Sequence, residues 1–141
     1  MHRKWGTRSK AAYDTLHPAL QSTMDYVLRE VADVSLLFGH RDEATQNHFF
    51  ATGKSKLEYP KSRHNSWPSE AVDFQPYPMP KRKEKVWAAL AYIAGRAIEH
   101  AASKGVTLRW GGDWNRNGDL TDQSFDDLFH LELVRVHNSD E

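Results

Sequence analysis

The 141-residue sequence contains no cysteine. That excludes disulfides, thiolate zinc sites and a cysteine nucleophile, so any metal must be held by imidazole and carboxylate groups. Net charge is also missing, because nineteen Lys and Arg balance nineteen Asp and Glu. A chain held on nucleic acid by bulk charge is therefore not expected. Long hydrophobic runs are absent too. The richest apolar stretch, residues 86–98, is interrupted by Arg96 and is too short to cross a bilayer, so no membrane insertion is expected. The basic opening MHRKWGTRSK leads into AAYDTLHPAL, where Asp14, His17 and Pro18 replace the apolar core of an export signal. What the chain does have is 39% hydrophobic residues, 11% aromatics and eight His, enough for one packed domain over residues 1–141 and for a histidine-based metal site.

Charge is uneven along the chain. Residues 1–10 carry four Lys/Arg and no acid, which reads as a solvated tail. Pro18 suits a first helical turn, and Leu20, Met24, Val27, Leu28 and Val31 recur at helical spacing, predicting a helix over 18–32. Residues 34–38 are a short apolar run, a buried strand, with Arg41 at its exit and Asp42 as N-cap of a helix running to Ala51. Residues 53–69 lack periodicity and read as a loop, and 71–75 as a strand stopped by Pro76, Pro78 and Pro80. A long amphipathic helix is expected over 84–104, ended by Gly105, followed by strands over 106–110 and 128–136. Strand and helix do not alternate as in a parallel α/β sheet. The expected class is α+β, a small mainly antiparallel sheet backed by helices.

A cysteine-free catalytic zinc needs three ligands from His and Asp/Glu, an open position for water, and a carboxylate to take the water's proton. Asp127 precedes His130 by three residues and Glu132 follows it by two, a candidate base and ligand with Glu132 on the same strand face. Asp14 and His17 share the first spacing, so the pair alone assigns nothing. His64 at the end of a loop and Asp73 in a strand can converge on one ion; taken singly, each is equally a solvated polar group.

The succession GHRDEATQNHFFATGKSK, SRHNSWPSEAVDFQPYP and RWGGDWNRNGDLTDQSFDDLFHLEL resembles the phage L-alanyl-D-glutamate endopeptidases, a branch of the D-alanyl-D-alanine and lysostaphin-type zinc peptidases. The likeness spans about residues 34–136. It implies a hedgehog/DD-peptidase-like fold and zinc held by His64, Asp73 and His130, with Asp127 as general base. It also implies that Arg41 steadies a substrate carboxylate or developing oxyanion and that Gln46 and Ser62 line the substrate site. Two departures stand out. The spacer from His64 to Asp73 is longer than in the best-known relatives, the extra residues falling within 65–69, and Phe129 and Leu131 flank His130 where relatives more often carry Pro and Phe.

The resemblance implies an endolysin acting on bacterial peptidoglycan, monomeric, without a separate wall-binding domain, and held in the host cytoplasm until another factor such as a holin releases it to the wall. A D-alanyl-D-alanine carboxypeptidase or dipeptidase and a non-catalytic zinc-containing binding module are the alternatives. Asp113, Asn115, Asn117, Gly118, Asp119 and Asp122 resemble the first half of a calcium loop, but Ser124 occupies the place of the closing Glu. A plain polar loop and a regulatory Ca2+ site both stand open. His2, His17, His100 and His137 read as surface residues, while His40 and His48 flank Arg41 and Gln46 without an assigned role. Trp110 and Trp114 read as core and rim aromatics.

Overall fold

The computed structural model describes residues 3–123 and 126–135. Four strands, β1 (Val34–Phe38), β2 (Ala71–Pro76), β3 (Leu108–Gly111) and β4 (Asp127–Leu133), form one sheet in the order β1-β2-β4-β3. Every pairing is antiparallel, and helices back the sheet, which is the α+β arrangement expected from the sequence. The helices are α1 (Thr7–Tyr13), α2 (Pro18–Tyr26), α3 (Glu43–Ala51) and α4 (Lys83–Ser103).

The core explains which sheet face is left for chemistry. Helix α4 buries Leu90, Ile93, Ala94, Ala97 and Ala101, the i, i+3, i+4 stripe of an amphipathic helix, against the sheet and against Leu20 and Met24 of α2. Alternation within the strands sends Val34 and Leu36, Val72 and Phe74, Leu108 and Trp110, and Leu131 into that core. Their neighbours Asp73, Arg109, His130 and Glu132 must then share the opposite face. The register aligns Asp73 with His130 and Glu132 with Arg109, so these side chains meet across strands.

The structure departs from the sequence expectations in several places. The basic opening is not a solvated tail: residues 7–13 are helical, and Ser9 is buried with its hydroxyl accepting from the Leu36 amide at 3.0 Å. Helix α1 thus covers the outer side of edge strand β1, while Trp5 Nε1 and the Tyr13 hydroxyl both donate to Asp25 of α2. The helix expected over 18–32 is α-helical only to Tyr26. Residues Val27–Val31 form a π turn, closed by the Ala32 amide on the Val27 carbonyl. His17 is not a bare surface group, because its Nδ1 accepts from the Ala19 amide and caps α2. Strand β3 starts at Leu108 rather than 106, because the Val106 and Gly105 amides bond back to the Ala101 and Ala102 carbonyls to finish α4. Strand β4 ends at Leu133, so residues 134 and 135 do not continue it as expected; residue 136 lies outside the described residues, as do His2, His137 and Ser124.

Candidate metal centre and active-site cleft

Asp73 and His130 come together through the β2–β4 register, with His130 Nδ1 3.1 Å from Asp73 Oδ1. His64 arrives from a different part of the chain. Ser62 Oγ accepts from the His64 amide and caps a short 3-10 turn, Arg63–Asn65, that sets the ring over β2. The His64 carbonyl accepts from the Arg41 amide, and His64 Nδ1 donates to the Gly39 carbonyl at 2.7 Å. His64 Nε2 then lies 3.1 Å from the same Asp73 Oδ1. Gly39 tolerates no side chain here: a Cβ would press on Thr15 Oγ1 and on the Ala12 carbonyl at the end of α1. The first strand is thereby seated where its exit carbonyl reaches the imidazole.

The outer hydrogen bonds decide the tautomers. Gly39 O can only accept, so His64 Nδ1 carries the proton and Nε2 presents a lone pair. His130 Nε2 points at Glu132 Oε1, 2.8 Å away, so it too carries a proton, and in the neutral ring Nδ1 is bare. Two lone pairs and a carboxylate oxygen therefore face one point, with candidate ligand atoms all within 4.8 Å of one another. Without a metal ion, a proton on His130 Nδ1 can bridge to Asp73 Oδ1, and a bound cation would take that proton's place. Two imidazole nitrogens plus one carboxylate oxygen are a donor set that suits a divalent metal ion such as zinc. His64, Asp73 and His130 are the only such group of three among the described residues.

The buried cluster is tied together by charge and hydrogen bonds. Burial pushes the Asp73 carboxyl up, but His64 and His130 outweigh it and hold the group well below the usual carboxylate range. Burial lowers His130, yet its hydrogen bonds to Asp73 and Glu132 carry it up to about 9. Glu132 is 5% exposed. Burial raises its pKa, and hydrogen bonds from His130 and Arg109 bring it below its ordinary value. Arg109 Nη2 grips Glu132 Oε2 at 2.6 Å, with Arg63 Nε at 3.6 Å. The second oxygen of Asp73 is taken by Arg41, whose Nη2 donates at 2.9 Å while Nη1 donates to Gln46 Oε1. The Arg41 guanidinium sits 5.0 Å from the Phe38 ring centroid and 4.9 Å from that of Phe49.

Asp127 reaches the same cleft by a break in register. Residues three apart on a regular strand face opposite sides, so Asp127 and His130 would normally diverge. Here Trp110 aligns with Leu131 but Gly111 aligns with Asp127, and residues 128–130 bulge on the β3 side. A Cβ on Gly111 would overlap the Asp127 carbonyl and lie 2.8 Å from the Asp127 Cβ. The Trp110 indole, buried in the core, donates to the Leu128 carbonyl at 2.8 Å and pins the bulge. Asp127, His64 and His130 accordingly line one cleft of about 460 Å³, together with Arg41, Ser62 and Trp114. Burial raises the Asp127 pKa, and the neighbouring Asp73 charge adds to it against His130, His64 and Arg41.

Over residues 1–134 the sequence matches the family described as phage L-alanyl-D-glutamate peptidase. The chain belongs to that family. Among curated relatives, the L-alanyl-D-glutamate peptidase of Escherichia phage T5 is 33% identical over 144 residues, which are 95% of this chain and all of that one. Among solved structures, the Serratia marcescens L-Ala D-Glu endopeptidase ChiX superposes with a TM-score of 0.70 at 25% identity, covering 94% of this chain and 91% of the other. The fold shared with this peptidase is the α+β arrangement built above.

Within the family frame, the structure brings His64, His130, Asp127, Arg41 and Ser62 to one cleft, with Asp73 behind it in contact with His64, His130 and Arg41. It does not bring Gln46 to the cleft surface. That amide is 0% exposed, with its oxygen on Arg41 and its nitrogen on Ser55 Oγ and the Leu57 carbonyl, so it braces Arg41 and the 55–57 segment from behind. Arg41 likewise spends both terminal nitrogens on Asp73 and Gln46. His40 bonds the Ser66 carbonyl and meets the Trp67 ring edge-on, and His48 caps nothing in the cleft but packs beside Phe49. The calcium reading of residues 113–122 finds no support. Asp113, Asn117 and Asp119 turn their oxygens onto the loop's own Gly118, Asp119 and Thr121 amides, and the loop supplies no ion-holding group of three among the described residues. Sequence reasoning missed the Gly39 carbonyl, since a backbone acceptor leaves no chemical signature in a string of letters; the Gly111-Gly112 pair was legible as a turn beside the site, but not as the close approach to Asp127.

Proposed function

We propose that residues 1–141 act as a single zinc-dependent module that hydrolyses the L-alanyl-D-glutamate bond of peptidoglycan stem peptides. The observation that carries the reading is the convergence of His64 Nε2, Asp73 Oδ1 and His130 Nδ1 beneath a cleft walled by Asp127. Zinc bound to these three atoms would polarise the scissile carbonyl and make a water acidic enough to attack near neutral pH.

The chain's own groups do the rest. The Asp127 carboxylate takes a proton from the attacking water as its oxygen bonds to the carbonyl carbon. As the carbon–nitrogen bond breaks, Asp127 returns that proton to the leaving amine of the D-glutamyl residue. Glu132 and the Gly39 carbonyl keep the two imidazoles in the tautomers that leave His64 Nε2 and His130 Nδ1 free. Arg41 holds Asp73 Oδ2, so Oδ1 faces the imidazoles. Ser62 fixes the His64 turn and lines the cleft where the peptide passes. No helix among the described residues is long and apolar enough to cross a membrane. We place the enzyme's work at the cell wall after release from the cell that makes it.

Digestion of purified peptidoglycan with zinc, with chelator, and with zinc restored tests this reading by product mass. New fragments ending in L-alanine and beginning with D-glutamate, lost with chelator and recovered with zinc, are expected. Released D-alanine with the alanine–glutamate link intact would refute it.

A further inference from the structure

The cleft holds more cations than the proposed hydrolysis uses. Arg41 is paired with Asp73, Arg109 and Arg63 with Glu132, and Arg135 with Glu70. Lys54 lines the same wall and has no acid partner among the described residues. Its ammonium sits 5.7 Å from the centroid of the Phe49 ring, which also carries the Arg41 guanidinium. Two cations thus share one aromatic plate, and of the two acids nearby Asp73 is already committed to Arg41. The root of Lys54 is fixed, because its amide bonds the Phe49 carbonyl at 2.8 Å where α3 ends. Lys54 also borders a smaller depression with Arg41, Asp73 and Asp127, which puts it beside the carboxylate proposed to serve the leaving amine.

A charge so placed fits a particular part of the substrate. The carbon that bears the leaving nitrogen of a D-glutamyl residue also bears its α-carboxyl group. Where the stem peptide continues through the side-chain carboxyl, that α-carboxylate stays ionised, next to the nitrogen that Asp127 protonates. We infer that Lys54 receives the free α-carboxylate of the D-glutamyl residue and makes the enzyme select free-acid over α-amidated stem peptides. The inference rests on the hydrolysis proposed above. Amidation removes the charge but keeps the shape, leaving a neutral hydrogen bond where a charge-assisted one stood.

The test compares two otherwise identical muramyl peptides, one with a free α-carboxylate and one α-amidated, with the zinc-loaded enzyme. Wild type is expected to favour the free acid by about tenfold in kcat/KM, mostly through KM. Lys54→Met should bring that ratio close to one, and Lys54→Arg should keep the preference. Equal cutting of both peptides by wild type, or a Lys54→Met loss shared equally by both, would overturn the role of Lys54 alone. Failure to cut either peptide at the alanine–glutamate bond would overturn the hydrolysis itself.

Discussion

Replacing Glu132 asks whether the tautomer of His130 is set by the protein. Glu132 Oε1 accepts a hydrogen bond from His130 Nε2 at 2.8 Å, while its Oε2 is held by Arg109 at 2.6 Å. Glu132→Gln keeps the shape and can still accept from His130, but it loses the charge that makes the imidazole a stronger donor to metal. Glu132→Ala removes the acceptor, so the ring is free to turn and to move its proton to Nδ1, the nitrogen that should bind. Partners of this kind are worth about 10- to 100-fold in metal affinity. We expect about tenfold weaker zinc binding for Gln and about a hundredfold for Ala, or about 1.4 and 2.7 kcal/mol. Competition against a chromophoric chelator reads both values. Thermal unfolding gives an independent check, because a ligand bound only by the folded chain stabilises it in proportion to the logarithm of ligand concentration over Kd. If Glu132→Ala binds one zinc as tightly as wild type, the tautomer reasoning is wrong.

Three further substitutions probe other parts of the account. Asp127→Asn preserves size but cannot take a proton, so turnover on peptidoglycan should fall by about 10²- to 10⁴-fold while metal analysis still finds the wild-type zinc content. Gly111→Ala forces a Cβ into the Asp127 backbone, which should cost about 1–3 kcal/mol in denaturant unfolding and depress turnover more than zinc affinity; unchanged turnover would mean that the bulge does not aim Asp127. Ser9→Ala leaves the buried Leu36 amide without its acceptor, so stability should drop by about 1–3 kcal/mol, whereas a solvated amino-terminal tail would show no change.

What could be read from the letters was whatever depends on local periodicity and capping. Helix α4 announced itself through its apolar stripe, and Asp42 was a recognisable N-cap whose side chain accepts from the Thr45 amide. The three ligands were another matter. His64, Asp73 and His130 lie far apart in sequence, and only the resemblance to a family joined them before the sheet register did. Helix α1 carries little apolar signal because polar contacts hold it, Ser9 on Leu36 and Tyr13 on Asp25, and those partners belong to other elements. The facing of Asp127 depended on how β4 pairs with β3, a property of two strands at once. Gln46 was legible as a site residue by its place in the motif, but its burial behind Arg41 followed only from where α3 packs.

In the proposed enzyme three side-chain atoms share one divalent ion. A crystal structure of the zinc-loaded protein, with anomalous scattering at the zinc edge, tests it most directly. One strong peak is expected, bonded to His64 Nε2, Asp73 Oδ1 and His130 Nδ1, with Asp127 beside it and unligated. A peak bound through His130 Nε2, or at a position that leaves His64 out, would contradict it.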